Sequence, residues 1–352
     1  MRCCKGKFNR FKFGNIAIGF GNLRKTNDTG RGLRVRFNGV GSLFGQLAGS
    51  LRDFSADFVG SGSFSADLSN IKQLDASIAG QGTLTGDLAD FVGLLDDYPN
   101  AAAAYSVRLL SGSYTGALVR IRKDTGGQPE KDFYPDENGE LSLDSEDGGN
   151  TRLGNWIGSN DGYLVTWYSQ AGISGRDVTN STASTQPKLL TAGVFETNDN
   201  GNIAVNYASG NFLRVTGVTG ISTTNVEVYT VFENDSIRGV LFYSPNYIYF
   251  QSGDASSALS GVGSPSLRIN GADDGAITSR ANLYTSVGTT TKLFGVRDIV
   301  PTAYSEINVL QFGAAAIPQI CFLSEYIVWD SSQSGNRTGI ETNINDFFNI
   351  YP

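Results

Sequence analysis

The sequence predicts an all-β protein: a lectin-like jelly-roll sandwich with a C-terminal helix, preceded by a short β-repeat stalk. Three observations carry that expectation. Of 352 residues only 17% are charged while 44 are Gly, and Thr, Ser, Tyr and Phe stand where helical proteins carry Lys, Glu, Ala and Met. Such a composition favours strands and turns. A ten-residue pattern recurs between residues 44 and 88, and residues 98–352 break into short apolar runs split by Gly, Asn, Asp and Ser.

Residues 1–38 form a basic arm. Residues 1–40 hold ten Lys/Arg against one acid, Asp28, giving +9, so the rest of the chain carries −16 of the overall −7. A basic arm on an acidic body predicts docking on an anionic partner. Lys5, Lys7, Arg10 and Lys12 interleave with Phe8, Phe11 and Phe13, aromatics that are costly to leave in water. Nucleic acid fits that charge, but an acidic protein surface is the partner assigned. Gly14, Gly19, Gly21, Gly30 and Gly32 break any long helix, and Leu33-Arg34-Val35-Arg36-Phe37 alternates as a strand does.

Residues 39–97 are the repeat. Phe54-Ser55-Ala56-Asp57-Phe58, Phe64-Ser65-Ala66-Asp67-Leu68, Leu74-Asp75-Ala76-Ser77-Ile78 and Leu84-Thr85-Gly86-Asp87-Leu88 recur every ten residues, and Phe44-Gly45-Gln46-Leu47 is a degenerate first copy. Gly41, Gly62 and Gly82 show that two short units make a larger one. Each segment is too short to bury its apolar positions alone, so it must stack on neighbours or on copies from other chains. The expectation is a β-structured stalk, homotrimeric in its assembly.

Asp96-Asp97-Tyr98-Pro99-Asn100 ends the repeat, and Ala101 to Tyr105 is expected to open the last domain, residues 98–352, with a helical turn. Strands follow at Ala117 to Arg122, Tyr163 to Tyr168, Ile203 to Tyr207, Val226 to Phe232 and Glu325 to Trp329, with turns at Asn138-Gly139 and Asn200-Gly201. Many short strands in one stretch imply a two-sheet sandwich. A closing helix is expected, capped by Asn336, with Ile340, Ile344 and Phe347/Phe348 as its apolar stripe.

The chemistry is bounded by what is missing. There is no His, which excludes Ser-His-Asp, Cys-His and His-metal mechanisms. Cys3, Cys4 and Cys321 are odd in number, and the adjacent pair would close a strained ring, so no disulfide framework is expected and a reducing cytoplasm suits the chain. No apolar run reaches the ~20 residues of a membrane-spanning helix, and the basic start lacks the apolar region of a secretory signal. Gly19-Phe20-Gly21 has no strand-helix-strand context, so no cofactor is expected. Asn198-Asp199-Asn200-Gly201-Asn202 is only loosely like a calcium loop. It lacks the closing acid and reads as a hairpin turn, so no metal is expected either.

Three passages carry a family likeness: Ala104-Tyr105-Ser106-Val107-Arg108-Leu109-Leu110 with Tyr114-Thr115-Gly116-Ala117-Leu118-Val119-Arg120-Ile121-Arg122; Gly162-Tyr163-Leu164-Val165-Thr166-Trp167-Tyr168-Ser169-Gln170-Ala171-Gly172; and Gly175-Arg176-Asp177-Val178-Thr179 with Gln186-Pro187-Lys188-Leu189. They resemble the catalytic-domain family of α-L-arabinofuranosidase B, a concanavalin-A-like sandwich, and the phage virion proteins that carry this domain. Ser334 to Asn345 resembles the closing helix of those phage proteins. The family commonly has an Asp where this chain has Ser169, and its nucleophile and acid fall on no matched motif, so no catalytic residue is carried over. The resemblance implies a virion component assembled in the host cytoplasm: a tail fibre or adhesin, or a capsid decoration protein. Its arm would bind other virion proteins through Lys5, Lys7, Arg10 and Lys12, and its sandwich would face a host surface glycan.

The alternative is a glycoside hydrolase, which needs two carboxylates ~5–9.5 Å apart. Asp161, Glu196, Asp199, Glu227 and Glu325 lie on or beside predicted strands, and Glu227 is expected on a solvated strand face, opposite Val226 and Val228. Trp156, Trp167, Trp329, Tyr247 and Tyr249 could stack on sugar. Trp167 and Trp329 read as core, which leaves Tyr247 and Tyr249, beside the Ser244-Pro245-Asn246 turn, as the expected glycan contacts.

Overall fold

A computed structural model describes residues 91–208, 210–243, 246–309 and 320–352 in full, and the backbone of eight strands between residues 16 and 89. Lys5, Lys7, Arg10, Lys12, Cys3, Cys4, Ser244 and Pro245 lie outside the described residues. The chain divides into two units, Met1–Phe91 and Val92–Pro352.

The strands of the first unit form two four-stranded sheets, and from Gly32–Asn38 onward successive strands belong to them alternately. Gly41–Gln46, Gly62–Ser69 and Gly82–Ala89 pair in parallel, with Gly41 opposite Gly62 and Gly62 opposite Gly82. Gly32–Asn38, Asp53–Val59 and Gln73–Ala79 do the same, with Phe54 opposite Leu74 and Phe58 opposite Ile78. Two ten-residue segments therefore make one turn of a solenoid, and the stacking partners are copies within the same chain.

The second unit is a β-sandwich of antiparallel strands with a C-terminal helix. At its centre Val226–Asn234 lies between Lys292–Ile299 and Cys321–Trp329. Both central strands are almost wholly buried, which is why Val226-Glu227-Val228-Tyr229-Thr230-Val231-Phe232 is nearly continuous in bulky residues. The other edge of Cys321–Trp329 is shared by Val205–Tyr207 and Ala101–Ser106. A smaller three-stranded sheet comprises Arg238–Tyr243, Tyr247–Gln251 and Leu259–Ser260.

Ala101–Ser106 is thus a strand, where a helical turn was expected. Ala104 faces Ile327 and Tyr105 faces Tyr326 in its ladder, and the four alanines are buried. Tertiary pairing has overridden alanine's helical preference. The helical turn lies just before, at Leu94–Asp97, where the Asp96 carboxylate accepts from the Gly93 and Gly112 amides at 2.7 Å each.

Trp167 and Trp329 are both in the core, the former tilted against Tyr105 at 6.2 Å and the latter edge-on to Tyr229 at 5.5 Å. The closing helix is Arg337–Phe348, and Ile340, Ile344 and Phe348 are buried as its stripe. Phe347 stays half-buried, with the Arg108 guanidinium 4.8 Å from its ring centre. Asn336 occupies the N-cap position without a side-chain capping bond, since its Nδ2 donates to Gln333 Oε1 at 3.0 Å.

The same helix overturns the expectation for Glu227. Its side chain does lie opposite Val226 and Val228, but that face is covered and Glu227 is fully buried. Arg337 donates to it from Nη2 at 2.5 Å and Nε at 3.2 Å, the Gln333 amide at 2.9 Å and the Tyr229 hydroxyl at 3.1 Å. Glu325 is buried likewise, accepting from Arg108 Nε at 3.0 Å and Ser106 Oγ at 2.6 Å, while Arg108 Nη1 reaches Asn343 of the helix at 2.9 Å. A third pair, Arg268 with Glu341, closes at 2.6 and 2.8 Å.

Removing one partner of such a pair strands a charge in the interior, whereas replacing both with apolar groups removes the problem. Arg108→Met is therefore expected to cost about 3–5 kcal/mol in urea unfolding, and Arg108→Met combined with Glu325→Leu clearly less. A double variant no more stable than the single one would show that the stranded Glu325 charge is not the cause.

Candidate functional site

Many of the residues that carry the family likeness meet at the Trp167 end of the strands Val119–Lys123, Glu130–Phe133 and Gly162–Trp167, while Lys188 pairs with Tyr163 at the other end. Several of them serve only to fix the loop that follows Trp167. Gln170 accepts from the Leu110 amide at 2.7 Å and donates to the Arg108 carbonyl at 2.8 Å. Ser169, the departure from the family pattern, is buried, and its Oγ accepts from the Ala104 amide at 3.2 Å. The Ser169 amide in turn donates to Asp177 Oδ1 at 2.9 Å, closing the loop on itself.

On this frame three tyrosines and three charged groups stand at the surface. Tyr168 is half-buried and its hydroxyl donates to Asp132 Oδ1 at 2.7 Å. Arg120 grips the same carboxylate with its fork, Nε to Oδ1 and Nη2 to Oδ2, both at 2.8 Å. Arg120 and Asp132 are direct cross-strand partners, so the ladder itself brings the fork to the carboxylate. Tyr114, half-buried, donates to the Ala117 carbonyl at 2.6 Å, and both Asp177 and Tyr134 lie close enough to bear on its phenol. Tyr134 is 37% exposed and Asp177 is exposed.

The register extends this group into a polar row. Arg120 faces Thr166, Thr166 faces Thr179 with their hydroxyls 3.2 Å apart, and Thr179 faces Arg214. Hydroxyls, guanidinium groups and a carboxylate therefore line one row across five strands, beside the half-buried ring of Tyr168. Such a surface can receive a polyhydroxylated ligand, the rings meeting C–H faces and the polar row meeting hydroxyls.

Electrostatics set limits on the chemistry. The hydrogen bonds from Arg120, opposed by burial and aided by Tyr168, hold the Asp132 carboxyl below the usual carboxylate value. Burial, followed by the Asp132 carboxylate, pushes the Tyr168 phenol well up. Burial also pushes Tyr114 up to about 12. Asp132 therefore stays ionised and Tyr168 stays a neutral donor through the physiological range. A glycosidase needs a carboxyl raised enough to give up a proton to the leaving group. Among the described residues the carboxyls pushed upward are Glu140 and Glu233, both chiefly by burial. Glu140 is raised further by Asp136 of its own turn, and Glu233 accepts from the Asp199 amide at 2.7 Å.

The acids singled out in the sequence are taken up by hydrogen bonds and ion pairs. Asp161 binds Lys188 Nζ at 2.8 Å, and Glu196 also bears on that lysine. Asp199 accepts from the Thr291 amide at 3.0 Å, and Glu227 and Glu325 are sealed by arginines. Asn198 Oδ1 accepts from the Asn200 and Asn202 amides, the arrangement of a turn, and no metal-ligating cluster occurs among the described residues.

The expected aromatic contacts are differently placed. Tyr249 is only 3% exposed, its hydroxyl donates to Gln251 at 2.7 Å and Arg280 lies 4.7 Å from its ring centre, so it offers no open face to a sugar. Tyr247 is half-buried and edge-on to Tyr249 at 6.4 Å. Trp156 is half-buried against Phe133 at 5.3 Å. Tyr114, Tyr134 and Tyr168 went unnoticed as a group because they come from separate segments. The Trp167-Tyr168 pair was the available signal: alternation puts one ring in the core and the other outside.

No protein-family model matches the chain, and no curated protein does. Among solved structures the chain is similar to an arabinofuranosidase complexed with arabinofuranosyl-α-1,2-xylobiose, at 12% identity and a TM-score of 0.46. It is also similar to a GH54 α-L-arabinofuranosidase soaked with a cyclic sulfate inhibitor, at 12% identity and a TM-score of 0.44. Each match covers 69% of this chain and 62% of the other, so the chain spans less than two thirds of those proteins.

The Tyr168–Asp132 hydrogen bond gives a pH-dependent expectation. A depressed carboxyl stabilises the fold above its unfolded value, and that contribution is lost as pH falls through the lower, folded value. In Asp132→Asn the acid-side loss of stability should therefore shrink, and the Tyr168 phenol should ionise at lower pH than in the parent. Ultraviolet titration against Tyr168→Phe would isolate that phenol, and an unmoved midpoint would sink the coupling.

Proposed function

We propose that this protein binds saccharide through the Tyr114–Tyr134–Tyr168 surface and does not cleave it. The observation that carries the reading is the Arg120–Asp132–Tyr168 cluster, with the exposed Tyr134 two residues beyond Asp132. It offers a carboxylate that Arg120 holds in its ionised form, a guanidinium and aromatic rings. The sequence likeness to the arabinofuranosidase B family supports a carbohydrate ligand, and the motifs that carry it border this surface.

The finer assignment rests on the sequence alone. The +9 arm with Lys5, Lys7, Arg10 and Lys12, and the ten-residue repeat, support an appendage of a phage virion. There the arm binds other virion proteins, the assembly is a homotrimer, and the sandwich turns towards host surface glycan.

The test is retention of the full chain on a panel of immobilised plant and bacterial oligosaccharides, with released reducing sugar assayed in parallel. Saturable binding without sugar release is expected, weakened about tenfold in Tyr168→Ala and again in Tyr134→Ala. Binding indifferent to both substitutions would move the site elsewhere. Sugar release by the parent chain would replace binding with hydrolysis, and no retention at all would end the saccharide reading.

A further inference from the structure

Arg176 is the neighbour of Asp177 in the loop described above, yet its side chain goes inward and is only 6% exposed. A buried guanidinium in a folded protein is ordinarily met by a carboxylate. Arg108, Arg268 and Arg337 obey that rule here. Arg176 does not: no carboxylate lies within ion-pair distance of it among the described residues. Nη2 donates to the Thr219 carbonyl at 2.6 Å, and Nε is buried without any hydrogen-bond partner.

The surroundings are polar, aromatic and incompletely satisfied. Tyr105 donates to the Arg176 carbonyl at 2.5 Å. Tyr304 and Tyr326 are buried nearby, and Tyr105, Tyr304 and Arg176 lie close enough to act on one another electrostatically. The chain next to it is at the surface: Gly172 to Gly175, which lead into Arg176, are exposed, as are Thr219, whose carbonyl Arg176 meets, and its neighbours Gly217 and Gly220. Gly217 and Gly220 hold φ of +73° and +76°, a backbone conformation that favours glycine.

We propose that Arg176 is the recognition group for an anionic substituent of the bound saccharide, a uronate carboxylate or a sulfate ester. The inference rests on the saccharide reading given above and deepens it. A guanidinium fork with a free Nε–H matches a planar carboxylate or a sulfate oxygen pair, and the tyrosine rings around it exclude water that would weaken the contact. The ligand's anion then supplies the counter-charge that the protein does not. Asp177, one residue away and turned outward, bears on Tyr105, Tyr114 and Tyr168, which ties this position to the tyrosine surface.

The experiment is calorimetric titration of the full chain with three oligosaccharides of equal length: an oligogalacturonide, a sulfated neutral oligomer and the unmodified neutral oligomer. The parent is expected to prefer at least one anionic ligand about tenfold or more over the neutral one, and which one wins identifies the anion. Arg176→Lys, which keeps the charge and loses the fork, is expected to retain neutral binding and lose most of that preference, and Arg176→Gln all of it. Should both variants fail to fold, free sulfate added to the parent serves instead, and is expected to compete with the anionic ligand alone. Equal binding of all three ligands by the parent, or a preference that survives both substitutions or resists sulfate, overturns the inference and leaves the saccharide reading standing. Failure of all three to bind the parent overturns both.

Discussion

The sandwich depends on how one helix is fastened to its central sheet. Arg337–Phe348 buries Ile340, Ile344 and Phe348 and lies against the strand Lys292–Ile299, but the contact is fixed in position by charge. Glu227, Glu325 and Glu341 are each buried and each held by an arginine from a different part of the chain. Apolar packing alone tolerates a helix that slides or rotates by part of a turn, whereas a buried carboxylate left half a turn from its guanidinium is severely penalised. The pairs thus specify one seat for the helix. They also join the ends of the unit, since Arg108 follows the first strand while Asn343 belongs to the last helix. Contacts so distant in sequence make the fold slow to complete and cooperative once complete.

The candidate site is built by the opposite arrangement. Elsewhere on the sheet, Arg120 of Val119–Lys123 and Thr166 of Gly162–Trp167 stay partly open to solvent, and the sheet presents its cross-strand pairs directly. Arg120 and Asp132 satisfy each other there without burial, so their charges remain available to a ligand. The loop from Ser169 to Asp177 supplies the rest, and it can be precise because Gln170 and Ser169 bind it to the frame by backbone amides and carbonyls. Binding residues on a loop held by a rigid scaffold are the common solution for sites of this type.

Much of the architecture was legible because it depends on short-range periodicity. The strand at Leu33 to Phe37, the ten-residue recurrence, the core positions of Trp167 and Trp329, and the helix stripe of Ile340, Ile344 and Phe348 all follow from periods of two or 3.6 residues. What could not be read is what lies opposite a given face. Alternation set Glu227 apart from Val226 and Val228, but it contains nothing about a helix returning more than a hundred residues later to cover it. Alanine in Ala101 to Ala104 is a helix former locally and a buried strand residue globally, and only the partner strand decides between the two. The site was scattered for the same reason, since Tyr114, Tyr134, Tyr168 and Asp177 become neighbours only once three strands have paired.

The solenoid unit has a further consequence for how such a chain can change length. From Gly32–Asn38 onward its strands alternate between two sheets, and each sheet repeats in register about every twenty residues, Gly41 to Gly62 to Gly82. Inserting or deleting two decapeptides adds or removes one whole turn, so every later strand still meets its own kind. A change of one decapeptide would deliver each following strand to the wrong sheet. The length of this unit is therefore quantised in pairs of decapeptides.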